Sequence, residues 1–182
     1  MKKIIVILLT LILNGNFVYG QISEEQYEDS VAVLINNYRD SLGLSHLEYV
    51  KELNPILRMW AEDFTNNRMT SVFTLNDSLP YCVHYKCSER VDTLKLNANI
   101  KKMNGMAEIA VYSTYTNSQQ IKNDLAYYDF YGWKNSPKHH EIMKEPTYNY
   151  FSVGIFYNKK TTKYTAYVIF FRAIICGVPD LK

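Results

Sequence analysis

The side chains best suited to chemistry concentrate in one stretch, "GWKNSPKHHEIMKEPTYNYFSVGIFY" from Gly132 to Tyr157. It holds two of the four histidines, the adjacent pair His139 and His140. An imidazole titrates near neutrality, so His139 facing a cleft can act as a metal ligand, a proton shuttle or a donor to a bound molecule. The competing role is structural: a buried ring that hydrogen-bonds across the fold. On a helix neighbouring side chains diverge by about 100°. If His139 shares a side with Met143, His140 turns away as a solvated neighbour. Ser136 lies three residues before His139 and invites a reading as nucleophile and base. The Ser-Pro step instead predicts a helix N-cap whose hydroxyl accepts from the His139 backbone N–H, and no glycine-rich nucleophile elbow surrounds it. Glu108 sits in the apolar run "GMAEIAV", where a carboxylate needs a partner if buried and is otherwise an exposed strand residue. In "CVHYKC", His84 lies between Cys82 and Cys87, but a fourth metal ligand at a recognisable spacing is lacking.

Those residues need elements to position them. Tyr27, Val31, Leu34, Ile35, Tyr38 and Leu42 recur at helical spacing across Glu24 to Leu42, and "SLGL" supplies a C-terminal glycine. Leu53, Ile56, Leu57, Trp60, Ala61 and Phe64 predict a second helix from Glu52 to about Asn67, with Pro55 tolerated in its first turn. From Thr70 to Met103 no period is sustained, which reads as a connecting region with at most short strands. "AEIAVYSTY" reads as a strand. Ile121, Leu125 and Tyr128 suggest a third helix over Ser118 to Trp133, and Ser136-Pro137 opens a short fourth one that Pro146 stops. "SVGIFY" and "KYTAYVIFF", joined by "NKKTTK", form a hairpin. The second of these strands is apolar on both faces, so layers must cover both sides. Trp60 and Trp133 read as core anchors, and His46 and His84 as loop residues. Helices first and an antiparallel sheet last make an α+β fold.

The N-terminus is of a different kind. Lys2 and Lys3 precede an apolar run from Ile4 to Leu13, and Val18 and Gly20 have the spacing of a signal-peptidase site. This predicts a secretory leader, residues 1–20, cut after Gly20, and one domain over residues 21–182. The run is shorter than the roughly 20 residues a spanning helix needs, so no transmembrane segment is expected in the mature chain. Losing the two lysines and no acid takes the formal charge from +2 to zero. Such a chain has no global attraction for a polyanion, which excludes nucleic acid as an expected partner. Sixteen tyrosines, eight phenylalanines and two tryptophans supply a large core with polar tips toward solvent. Export permits a disulfide. Cys82 with Cys87 would close a small loop and leave Cys176 over, while a bridge from Cys176 to either is equally open.

The order of helix, "LGLSHLEYVKELNPILRMWAEDF", central "AEIA", then "WKNSPKH" and "SVGIFY" resembles the CAP superfamily, also called the SCP domain, in its bacterial secreted form. The resemblance runs from about Val31 to Phe170 and is most specific in the W-x-x-S-P-x-H stretch. It implies a three-layer α-β-α sandwich with a central antiparallel sheet. It also implies a cleft that in many members holds a divalent cation on histidines and acids. Carried onto this sequence, His139 stands at the motif histidine and Glu108 nearest the family glutamate of G-E-N-I-A, although a shift of one residue puts Ala107 there. Ser136 stands where other members have a second acid, Lys138 replaces a glycine, and "RMTSVFTL" lacks the first cleft histidine. Glu108 and His139 are thus the candidate ligands for zinc, calcium or magnesium, and Glu108, Ser136 and His139 the candidate cleft residues. One carboxylate and one imidazole fall short of a usual zinc ligand set. The expectation is a secreted or periplasmic, non-catalytic binding or interaction module for an extracellular or envelope ligand or protein. One alternative is a hydrolase of peptides or envelope components using His139 and Glu108, and another is a lipid or sterol carrier.

Overall fold

The computed structural model describes residues 23–67, 100–114 and 124–175. The leader, the three cysteines and His84 lie outside the described residues. Helix α1 spans Glu24–Ser41. Ser23 and Gln26 close a reciprocal capping box at its start. At its end Gly43 takes a φ of +70°, its N–H bonds to Asp40 O and that of Leu44 to Arg39 O, the paired bonds of a Schellman stop. The glycine of "SLGL" is there because only a residue without Cβ enters that conformation cheaply.

A two-residue strand β1 (Glu48–Tyr49) and a 3-10 turn (Lys51–Leu53) lead into α2 (Asn54–Asn67). Strand β2 covers Ile100–Thr114, helix α3 Asp124–Asn135, helix α4 Pro137–Lys144, and strands β3 and β4 Tyr150–Asn158 and Lys163–Ile175. The sheet has the order β1-β3-β4-β2. β2, β4 and β3 are antiparallel neighbours, and β1 adds a short parallel bridge to β3.

β2 begins earlier than its composition suggests, taking in Ile100 to Met103 from the region expected to connect. The register against β4 shifts between Ile100 and Lys102 and again between Met103 and Gly105. Each irregularity breaks the period-two signal while the pairing continues. The rest of that region, residues 68–99, is outside the described part.

β4 is the central strand, and both of its apolar faces are covered. Tyr164, Ala166, Val168 and Phe170 pack with Ile109 of β2, with Val31 and Ile35 of α1, with Phe130 and Trp133 of α3 and with Met143 of α4. Tyr167, Ile169 and Phe171 pack on the opposite side with Leu57, Trp60, Ala61 and Phe64 of α2. The result is an α-β-α sandwich with α1, α3 and α4 over one face and α2 over the other.

Polar ties fasten the layers. Glu28 of α1, with no exposed surface, accepts two bonds from Arg58 at 2.6 Å and one from Asn54 at 2.9 Å. Ser152 of β3 donates to Asn54 Oδ1 at 2.8 Å. A buried carboxylate is tolerable only with such partners. No described helix is long and apolar enough to cross a membrane.

Candidate functional site

The site region is the α3–α4 corner beside the outer strand β2. Ser136 separates the helices with an extended backbone, its N–H bonding back to Gly132 O and Trp133 O and its carbonyl accepting from His140 N at 2.8 Å. Pro137 then occupies the first turn, where a missing donor does no harm. The Ser136 hydroxyl makes no cap hydrogen bond, which corrects the expectation that it holds the His139 N–H. The position is a cap by backbone geometry alone, since proline already fixes the first turn.

The far end of α4 is clamped. Glu145 is extended, as a residue preceding proline must be. Arg39, 1% exposed, reaches across from α1 to donate Nη1 to Met143 O at 2.9 Å and Glu145 O at 3.0 Å, and Nε to Ser45 O at 2.9 Å. Burial pulls the Arg39 pKa down from its usual value, and the charge of Glu145 opposes that pull. Met143 is fully buried beneath this clamp. A helix of eight residues is therefore pinned at both ends.

His139 and His140 are both half-buried. His140 does not turn out to solvent: its Nε2 lies 2.5 Å from the hydroxyl of Tyr38 on α1, and Lys134 of α3 places Nζ 4.7 Å from the centre of the Tyr38 ring. His140 fails as a solvated neighbour because α1 lies alongside α4, so a ring turned about 100° from His139 meets another helix. Tyr38 escaped the reading of site residues. The available signal was its place in the apolar stripe of α1, because a half-buried phenol seeks a partner for its hydroxyl.

Glu108 is buried on β2, paired with Ile169 of β4. Side chains alternate along a strand. Glu108 therefore shares the face of Ala110 and Ile169, which turns to α2, while Ala107 and Ile109 share the face of Phe170 and Val168, where α4 packs. His46, in its loop, makes an exposed ion-pair contact of 2.7 Å with Asp40, far in sequence from this corner.

Residues 33–171 match the profile of the cysteine-rich secretory protein family. The chain belongs to the CAP family. No curated protein matches it significantly. Among solved structures, it resembles an outer surface protein of Borrelia burgdorferi with a TM-score of 0.60 at 18% identity, over 85% of this chain and 98% of that one. It also resembles an extracellular protein containing an SCP domain from Bacillus anthracis strain Ames, with a TM-score of 0.55 at 16% identity, over 82% of this chain and 41% of that one. At such identities the likeness speaks for the fold.

A cation held in a CAP cleft needs several donors converging on one point. Among the described residues no group of three or more His, Cys, Asp and Glu stands close enough to hold a metal ion. The strand register turns the Glu108 carboxylate toward α2, whereas α4, which carries His139, belongs to the other layer. The described donors thus do not fit a resident divalent cation.

Proposed function

We propose that this CAP domain is an extracytoplasmic, non-catalytic binding or interaction module. Its ligand side is a shallow cleft at the α3–α4 corner, bounded by Ser136 and His139; Glu108 sits on the adjoining strand with its side chain toward the α2 layer. The observation that carries this reading is the strand register, in which Glu108 lies on the α2 side of the sheet while His139 rides on α4. An acid and a base divided between layers cannot share one proton or one metal, whereas a helix clamped by Arg39 is a rigid platform for recognition. An extracytoplasmic location is supported by the leader-like residues 1–20 and by structural neighbours described as outer surface and extracellular proteins.

The test joins calorimetry with an assay of turnover. The chain from Gln21 to Lys182 and its His139→Ala variant are titrated with zinc, calcium and magnesium, then incubated with peptide and cell-envelope substrates. Neither micromolar cation binding, about −8 kcal/mol, nor turnover is expected. A photo-crosslinking residue at position 136 is expected to capture an envelope ligand or protein that one at exposed Val33 does not. Turnover abolished by His139→Ala refutes the proposal and installs the hydrolase reading.

A further inference from the structure

Away from the α4 corner, a carboxylate is buried in the larger apolar cluster. Asp129 of α3 is 7% exposed and accepts from Tyr27 of α1 at 2.6 Å and from Tyr164 of β4 at 2.7 Å. The groups that act on it are these two phenols. Behind them stand the phenol of Tyr157 on β3 and the hydroxyl of Ser113 on β2, which hydrogen-bonds Tyr164. No cation appears among the described groups acting on Asp129 or on the two phenols it binds. Glu28, the buried carboxylate between α1 and α2, has Arg58 instead. Both described donors to Asp129 are neutral, since burial and the adjacent carboxylate push both tyrosines well above their ordinary values.

Two hydrogen-bond arrangements fit the same heavy atoms. With Asp129 ionised, both phenols donate to it and Tyr164 accepts from Ser113. With Asp129 protonated, its O–H donates to the Tyr164 oxygen and the Tyr164 O–H turns to the Ser113 oxygen. Ser113 is exposed, so this chain of hydroxyls leads from the buried carboxyl to solvent. The carboxyl also ties three elements together at one point: α1, α3 and β4.

We propose that Asp129, Tyr27 and Tyr164 form a proton-operated latch, loaded from solvent through Ser113, whose charge state sets how firmly α3 is held against α1 and β4. The sign follows from burial, which raises the Asp129 pKa to about 6 against the opposing pull of the two phenol bonds. The folded domain then holds the proton more tightly than the unfolded chain, whose aspartate titrates near about 4. The latch contributes most below about pH 4, weakens as the pH rises, and is spent above about 6. The full span corresponds to roughly a hundredfold change in the folding equilibrium.

A carbon-detected NMR titration of the Asp129 carboxyl in the mature chain is the direct test, beside urea denaturation from about pH 3.5 to 8. A midpoint near 6 is expected. The wild-type folding equilibrium is expected to fall roughly a hundredfold from about pH 4 to 7 relative to Asp129→Asn, which has no proton to lose there. If Asp129→Asn does not fold, Tyr27→Phe serves: losing one donor to the ionised form must raise the Asp129 midpoint. A midpoint at or below about 4, parallel pH profiles for wild type and Asp129→Asn, or a midpoint unmoved by Tyr27→Phe would each overturn the latch.

Discussion

Two glycine-to-alanine substitutions should move stability in opposite directions, and the structure sets the size of each. Gly154 of β3 lies directly beneath α2. A Cβ placed there would come 2.7 Å from the backbone N of Arg58 and the carbonyl carbon of Leu57, and nearer still to Leu57 Cβ, where ordinary contact begins at 3.4 Å. Two of these are backbone atoms and the Leu57 Cβ is fixed to the backbone, so no side-chain rotation relieves the overlap and α2 must retreat by more than about 0.7 Å. The same displacement takes the 2.8 Å bond between Ser152 and Asn54 to about 3.5 Å, the limit of a hydrogen bond. Overpacking costs about 1–3 kcal/mol and the weakened buried bonds about 1 kcal/mol each, against a gain of about 0.4–1 kcal/mol from a stiffer unfolded chain. Gly154→Ala should therefore lose about 3 kcal/mol, a large part of a stability on the order of 5–15 kcal/mol. Gly132 is the control. It is exposed in α3, and an added methyl group would meet nothing within 4 Å, so alanine there should gain about 0.5–1 kcal/mol through helix propensity. Urea unfolding followed by circular dichroism reads both. The Gly154→Ala midpoint should fall by about 1 M or more and the Gly132→Ala midpoint should rise slightly. An unchanged midpoint for Gly154→Ala would mean that α2 does not sit this close to β3.

Other perturbations probe the α4 corner. Arg39→Ala strands the buried carbonyl of Met143 and gives up the partly buried bonds to Ser45 and Glu145, and should cost about 2–4 kcal/mol by urea denaturation; Arg39→Lys should recover only part, because an ammonium cannot fork between them. A lysine variant as stable as wild type would show that charge alone is needed. Tyr38→Phe removes the His140 bond and should cost about 0.5–1.5 kcal/mol while shifting the ring resonances of His140 more than those of His139. Equal shifts at both rings would place the histidines differently from the arrangement seen here.

Where one local rule decides structure, the sequence is legible. The glycine of "SLGL" stops α1 by left-handed geometry, Pro146 stops α4, and the doubly apolar β4 requires cover on both faces. What resists reading is what depends on neighbours from afar. The start of β2 is hidden because two register shifts scramble its alternation. The three carbonyl partners of Arg39 are invisible in a residue that reads as an ordinary surface cation in the last turn of a helix. Tyr27 and Tyr164 stand 102 and 35 residues from Asp129, and only the fold brings the phenols to the carboxylate.

The candidate site shows why matching letters is weaker than matching faces. A glutamate found one place along a strand is chemically similar but geometrically opposite, because the side-chain period is two. Aligning "AEIA" by its acid chooses Glu108; aligning it by the following Ile109 and Ala110 chooses Ala107. The register decides the consequence: the residue opposite Phe170 faces the layer of α4, and that residue is Ala107. A one-residue difference in "GMAEIA" is therefore enough to separate a carboxylate from the helix that carries His139 without disturbing the fold, since β2 keeps its pairing with β4 on either side of it. The converse substitution makes the point testable by construction. Ala107→Glu would restore an acid to the α4 side and should raise cation affinity above that of the natural chain, provided His139 faces the same cleft. If zinc titration of Ala107→Glu shows no binding above that of the wild type, the face of β2 next to α4 does not open into a cleft that His139 shares.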